Sequence, residues 1–277
     1  FRLDFTDVAT TALDGSLASN GTFRLTPKAH LDLEFSMARA TAKKLAVLLG
    51  IDDFSFAGTL NTQAKLVGPA KNPKLTAKLR LDNARLFYKL KGVNIFYHPP
   101  HVLGHLSLDK SHLELSDVRG PIHDGSFRFR IHRQRRKDVL WNASLHFSDV
   151  SLHSLFSSNL KQKNNIVGKG FMDIFFQGKG SDTKTYAGRG NFRVEDGAIK
   201  ELEELTRIEK EYKLRNLVGL TFETIESKVK LFKERLEFAE AKVRSSKGHA
   251  KGNVSVGFDR TLDGSLKVGL ERDVLSS

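Results

Sequence analysis

A chain of 277 residues with 39% hydrophobic and 28% charged side chains has the composition of folded protein, long enough for one large all-β domain or two smaller ones, which excludes wholesale disorder. The absence of cysteine removes a disulfide framework, thiolate metal sites and thiol nucleophiles, and no apolar run approaches the roughly 18 to 20 residues of a membrane helix. The net charge of +13 would attract nucleic acid or an anionic membrane surface without choosing between them, and twenty Phe against four Tyr and one Trp point to faces that are apolar throughout.

In chain order, Phe1-Arg2-Leu3-Asp4 lacks the shape of a signal peptide and reads as the start of an excised segment whose anchors or signals lie elsewhere. Leu31, Leu33 and Phe35 alternate with Asp32 and Glu34, which predicts a strand with one apolar face. Thr41 to Leu49 carries Leu45, Leu48 and Leu49 on one side and stops at Gly50, a brief C-capped helix. The alternation returns at Leu60, Ala64 and Leu66, and at Leu75, Leu79 and Leu81 against Lys78 and Arg80. His98-Pro99-Pro100-His101 with His105 has no metal-binding spacing, because the prolines and Gly104 prevent the helix that would align His101 with His105.

Phe127, Phe129 and Ile131 against Arg128 and Arg130 form another amphipathic strand, followed by the densest basic cluster, His132 to Lys137. Val139 to Phe147 reads as the next strand, so the cluster is a hairpin tip. Ser144, His146 and Asp149 are close in sequence but have no nucleophile elbow or ordered triad geometry. Ser151 to Phe156 is a second short helix. Three Gly-basic-Gly triplets then stand ten residues apart, Gly168-Lys169-Gly170, Gly178-Lys179-Gly180 and Gly188-Arg189-Gly190. They read as turns in a meander of strands of about six to eight residues, and without Gly-x-x-x-x-Gly-Lys-Ser/Thr they form no phosphate cradle. Ile199 to Leu217 is the longest helix candidate, with a stripe of Leu202, Leu205, Ile208 and Tyr212. Val254, Val256 and Phe258 close the series of alternating runs. Solid apolar runs between long helices, the mark of a parallel α/β sheet, are missing.

Two stretches repeat. One runs from Phe35 through the first helix to Gly58, Gly68 and Leu81-Asp82-Asn83-Ala84; the other from Phe147 through the second helix to Gly168, Gly178 and Glu195-Asp196-Gly197-Ala198. A further echo links Leu113 to Ile131 with Leu236 to Phe258. The chain is therefore expected to be mainly β: a long, curved antiparallel sheet forming a groove or an elongated taco-like or β-solenoid-like array, with a few short helices.

These residues carry a resemblance. Leu152-His153-Ser154-Leu155-Phe156, Ile166 to Ile174, Gly188 to Ile199, Phe222 to Val229, Leu236 to Val243 and Thr261-Leu262-Asp263-Gly264-Ser265-Leu266 resemble the C-terminal region of AsmA-like proteins over about residues 147 to 270. Residues 1–146, with Gly58-Thr59-Leu60 and Gly68 to Leu75, resemble the looser β-repeats of AsmA and TamB relatives. The resemblance implies two regions, 1–146 and 147–277. It also implies a periplasmic body held at the inner membrane by a segment outside this chain, with an apolar groove linked to phospholipid transport to the outer membrane and to outer-membrane biogenesis. The expected partners are phospholipid acyl chains and the inner and outer membrane or envelope proteins.

On that reading the groove is lined by Leu75, Leu79, Leu81, Phe127, Phe129, Ile131, Val254, Val256 and Phe258, with headgroup contact at Arg133, Arg135 and Arg136. No catalytic residue, metal or cofactor is expected, and the activity is non-enzymatic. Periodicity alone does not separate an open groove from a sandwich whose apolar face packs on a second sheet. An interaction scaffold in outer-membrane protein assembly is the alternative. A basic nucleic-acid-binding β protein is more distant, because RNP-like, helix-turn-helix and zinc-finger signatures are absent and most Lys and Arg sit singly at alternate strand positions, as on a solvated face.

Overall fold

The computed structural model describes residues 2–25, 29–44, 55–90, 93–134, 140–159, 166–180, 182–199, 210–211, 220–259 and 261–271. The protein is mainly β, an open, curved antiparallel sheet with little helix. By its contacts the chain divides into two compact units, Phe1–Pro121 with Arg128–Ala143, and Ile122–Phe127 with Ser144–Ser277.

The first unit is built from β1 (Arg2–Ala12), β2 (Gly15–Arg24), β3 (His30–Thr41), β4 (Ser55–Pro69), β5 (Lys74–Leu90), β6 (Val93–Tyr97), β7 (His101–Leu108) and most of β8 (His112–Ile122). Strands β9 (Gly125–Gln134) and β10 (Leu140–Ser151) contribute to both units. The second unit adds helix α1 (Leu152–Asn159), β11 (Ile166–Lys179), β12 (Asp182–Ile199), β13 (Leu220–Phe232), β14 (Arg235–Ser245), β15 (Gly248–Gly257) and β16 (Leu262–Leu270). Hydrogen-bonded neighbours follow chain order, except that β5 pairs with both β6 and β7. A meander of this kind needs only local connections, which is why hairpin turns and short helices suffice to join it.

Two local devices recur. Hairpins turn on two residues with positive φ: Leu13-Asp14 (52° and 65°), His123-Asp124 (43° and 66°) and Lys233-Glu234 (47° and 59°). This is the type I′ geometry whose twist matches that of the strands. The carbonyls of Leu13 and His123 accept N–H bonds from Thr41 (2.8 Å) and Ser151 (2.7 Å), at the ends of β3 and β10. Side chains fasten the same corners, with the Thr41 hydroxyl donating to Asp14 at 3.1 Å and that of Ser154 to Asp124 at 2.8 Å.

The second device is a bulge. In β1, residues 6 and 7 stand opposite Asn20; in β3, residues 38 and 39 oppose Asn61; in β14, residues 239 and 240 oppose Asn253. Each time the second bulge residue is left-handed, and its N–H donates to the asparagine Oδ1: Asp7 at 2.7 Å, Arg39 at 3.1 Å and Glu240 at 2.9 Å. The asparagine thus satisfies a donor that the extra residue removes from the ladder. In β5 and β12 the bulges at Asn83-Ala84 and Asp196-Gly197 oppose Gly58 and Gly168 instead. Gly168 has φ of 137°, a conformation closed to residues with a Cβ. The two repeats seen in the sequence thus place their corresponding glycines and Asp/Asn steps at corresponding bulges.

Three sequence expectations need correction. The glycine triplets are not all turns, since Gly168-Lys169-Gly170 lies inside β11 and Gly188-Arg189-Gly190 inside β12, and only the middle triplet, Gly178-Lys179-Gly180, reaches a turn, at Gly180. Their ten-residue spacing misled because the strands run to 14 and 18 residues, with glycines where neighbouring backbone or side chains approach closely. Ile199 does not start a helix; it ends β12, paired with Ile166 and Leu220. Of the helix predicted there, Lys210 and Glu211 are helical, while Leu202, Leu205, Ile208 and Tyr212 lie outside the described residues. Finally, β15 ends at Gly257, so Phe258 sits in the following turn, its N–H donating to the Glu234 carbonyl at 2.8 Å. The first predicted helix is observed at Ala42 to Lys44, its remainder falling outside the described residues, and the second is α1.

The core is a series of local clusters. In the first unit these centre on Ala40, Ala42 and Leu60, and on Ala77, Leu106 and Leu113. In the second, Leu152 of α1 packs on Val194 and Phe222, with Leu155, Ile166, Phe192, Ile225 and Val243 around them.

Candidate functional site: a partly uncovered apolar face

Period two sends alternate residues to opposite sides of each strand, and the bulges reset the phase so that apolar residues stay on one side. In β5, Leu75, Ala77, Leu79 and Leu81 share a face, and after the bulge at Asn83 it is Ala84 that is buried. Registered partners continue this face: Leu75 opposes Leu66 and Leu108, Leu81 opposes Leu60 and Val102, and Leu106 opposes Leu115.

Full burial on this face is reached by small residues such as Ala77 and Ala143, or by larger ones at the clusters. Elsewhere the inward residues keep part of their surface. Leu31, Leu33, Phe35 and Met37 of β3 are half-buried, as are Phe127, Phe129 and Ile131 of β9 and Leu236 and Phe238 of β14. In a filled sandwich the same positions would be covered by an opposing sheet and largely lose contact with water. Here all described strands belong to a single sheet.

The predicted lining residues occupy three separate strands. Leu75, Leu79 and Leu81 lie half-buried on β5 and join the first-unit clusters. Phe127, Phe129 and Ile131 lie on β9, with Arg128 and Arg130 exposed between them. Val254 and Val256 lie on β15, Val254 half-buried between Phe238 and Gly264, and Val256 37% exposed beside Leu236 and Leu262. Leu75, Leu79, Leu81, Phe129 and Ile131 belong to the first unit, and Phe127, Val254 and Val256 to the second. Arg133 is half-buried near the end of β9, whereas Arg135 and Arg136 lie outside the described residues.

The opposite side is a ladder of cross-strand charge pairs. Lys65 of β4 reaches Asp32 (3.3 Å) and Glu34 (3.2 Å) of β3, and these hydrogen bonds raise the lysine pKa, Glu34 contributing most. Lys169 meets Asp149 at 3.0 Å and Lys228 meets Glu240 at 2.8 Å, which holds the Glu240 carboxyl below its ordinary range. Arg130 pairs with Glu114. His146 bonds Asp173 on β11, and Asp149 is held by Lys169, so Ser144, His146 and Asp149 form no relay. The Arg193 guanidinium lies 4.9 Å from the Phe171 ring centroid. The half-buried Asp109 carboxyl at the β7–β8 turn is brought down to about 2 by the Ser111 N–H, then the Ser111 hydroxyl and the His112 N–H. These pairings use basic residues to solubilise the polar face.

Sequence reasoning missed a hollow of about 430 Å³ on the polar side of β13 to β16, lined by Lys230, Phe232, Arg235, Glu237, Ser255 and Asp263 among others. Its residues come from four strands and become neighbours only through register: Lys230 opposes Glu237, which opposes Ser255, which opposes Asp263. Alternation along one strand carries no signal for such a set. Among the described residues no group of three His, Cys, Asp or Glu side chains is placed to hold a metal, and no helix is long and apolar enough to cross a membrane. No family model, curated protein or solved structure matches the chain.

Proposed function

We propose that this chain is a non-enzymatic, lipid-handling segment of an AsmA-like envelope protein, in which the apolar face of the sheet shelters phospholipid acyl chains on their way between the inner and outer membranes. The observation that carries this reading is that apolar residues at alternate strand positions stay half-exposed in each unit, as at Leu31, Leu33 and Phe35 of β3 and at Leu236 and Phe238 of β14. Burying methylene groups recovers about 0.8 kcal/mol each, so a diacyl lipid with about thirty of them costs on the order of 20 kcal/mol to place in water. A surface covering even part of each chain removes much of that barrier. Sliding along a face of Leu, Ile, Val and Phe needs no acid–base group and no cofactor, and the paired charges opposite keep the other side wetted. The segment would work in the periplasm, attached to the inner membrane by chain outside these residues.

The test is lipid carried through purification and identified by mass spectrometry. Replacing Phe129 and Ile131 by Asp is expected to abolish lipid loading, whereas Arg128→Ser, on the opposite side of the same strand, leaves it unchanged. Circular dichroism confirms that each variant is folded. A lipid-free protein, or equal losses from the two faces, overturns the reading. A lipid-free chain that captures an envelope protein would instead support the scaffold reading.

A further inference from the structure

We infer that the polar side of the β14–β15 hairpin docks the protein on an anionic lipid bilayer, through a block of cations formed by Lys242, Arg244, Lys251 and Lys267. Elsewhere this side pairs its charges across strands, as Lys65 does with Asp32 and Glu34, Lys169 with Asp149 and Lys228 with Glu240. Here register sets cation against cation: Lys242 opposes Lys251, Lys251 opposes Lys267, and Arg244 opposes His249. All five side chains are exposed. Strands β13 and β16 flank the Lys242–Lys251 and Arg244–His249 pairs, so these oppositions are fixed inside the sheet. Like charges directly opposite one another destabilise a ladder, and the block carries that cost where the paired strands do not.

Nothing nearby neutralises it. From Ala241 to Phe258 the chain has four Lys or Arg and no Asp or Glu. Glu240, the acid just before the block on β14, is held by Lys228 at 2.8 Å. Glu226 opposes Lys242, but the two form no ion pair, and among the described residues none of the four cations has one. The His249 ring lies over Gly269, where a Cβ would stand 2.6 Å from His249 Cε1, so it folds down while the long lysine and arginine side chains stand out from the sheet. A single-stranded nucleic acid would need aromatic side chains on which to stack its bases, and the neighbours of the block on this side, Thr224, Glu226, Asn253, Ser265 and Gly269, offer none. A bilayer surface asks only for clustered Lys and Arg, each worth about fivefold in binding to anionic headgroups.

The test is cosedimentation of the full chain with two kinds of vesicle, phosphatidylcholine alone and equal parts phosphatidylcholine and phosphatidylglycerol, over a salt series. Binding is expected only to the anionic vesicles, falling as salt rises. Lys242→Ser, Lys251→Ser and Lys267→Ser combined should weaken it by about a hundredfold, at about fivefold per charge. The same exchange at the paired Lys65, Lys169 and Lys228 removes equal charge and should weaken it by less than about threefold. Lys251→Glu sets an anion between Lys242 and Lys267, so it should raise the midpoint of urea unfolding, and its loss of binding, about 25-fold, is then not a loss of fold. Absent binding, equal binding to both vesicles, equal losses from the two triple exchanges, undiminished binding by Lys251→Glu, or lysine-dependent capture of DNA without anionic vesicles each overturns the inference. Docking and acyl-chain loading use opposite sides of the strands and fail separately. A lipid-free chain that still binds anionic vesicles overturns only the proposed function, and a lipid-loaded chain that ignores them overturns only this inference.

Discussion

Two regions of the second unit treat the same kind of strand differently. Around α1, Leu152, Val194 and Phe222 are between 2% and 9% exposed, while at β16 Leu262, Leu266 and Val268 remain more than half exposed. Both regions are antiparallel strands with apolar residues at alternate positions. What differs is cover: α1 places Leu152 and Leu155 over the strands at Val194 and Phe222, and among the described residues neither a helix nor a second strand lies beyond β16. Deep burial here therefore comes from helices laid on the sheet and from in-plane neighbours. Away from them, the described apolar residues are only partly covered by the described residues.

The contrast can be broken most directly at Phe222. Its ring also lies across Gly197, where a methyl group would stand 2.0 Å from Phe222 Cζ, so truncation removes both a buried side chain and the packing over that glycine. Phe222→Ala is expected to lower unfolding stability by about 3 to 5 kcal/mol in urea titrations, the range for large-to-small changes in a packed core. A loss below about 1 kcal/mol would mean that the helix-covered region is no more consolidated than the open face. A smaller effect sharpens the role of the helix. Ser151 caps α1 by accepting the Ser154 N–H at 3.2 Å, and Ser151→Ala should cost about 1 kcal/mol by the same measurement. The smallest effect belongs at the edge: Leu262→Ser, at protein concentrations low enough to exclude self-association, should change stability by less than about 0.5 kcal/mol. A larger loss would show that β16 is covered in solution by something the isolated chain supplies.

Strand existence was readable because alternation is written residue by residue: Leu31, Leu33 and Phe35, or Phe127, Phe129 and Ile131, show their face without any partner. Strand length was not, because a glycine inside a long strand carries the same letter as a glycine in a turn, and Gly168 and Gly190 owe their places to neighbours at least sixteen residues away. Ile199 shows a related limit. Its pairing with Ile166 and Leu220 is a property of register, whereas the apolar spacing that follows it is local and reads as helix. The bulges were half visible: Asp82-Asn83-Ala84 and Asp196-Gly197-Ala198 stood out as corresponding steps, but the phase shift they impose, which turns Ala84 rather than Asn83 inward, needs the opposing strand to be seen. For the candidate site, alternation showed which side of a strand is apolar, as at Phe127, Phe129 and Ile131, but not that β15 ends before Phe258. It left open whether that face is covered, and the hollow at Lys230 and Asp263 had no linear signature at all.

The bond from asparagine to bulge has a consequence for how such a chain grows. Because Asn20, Asn61 and Asn253 each satisfy the bulge of the strand beside them, an added pair of strands can bring its own correction of phase. Lengthening by duplication then asks nothing new of a central core. Selection can set the span of the molecule in increments of a hairpin, as a carpenter extends a floor by the plank.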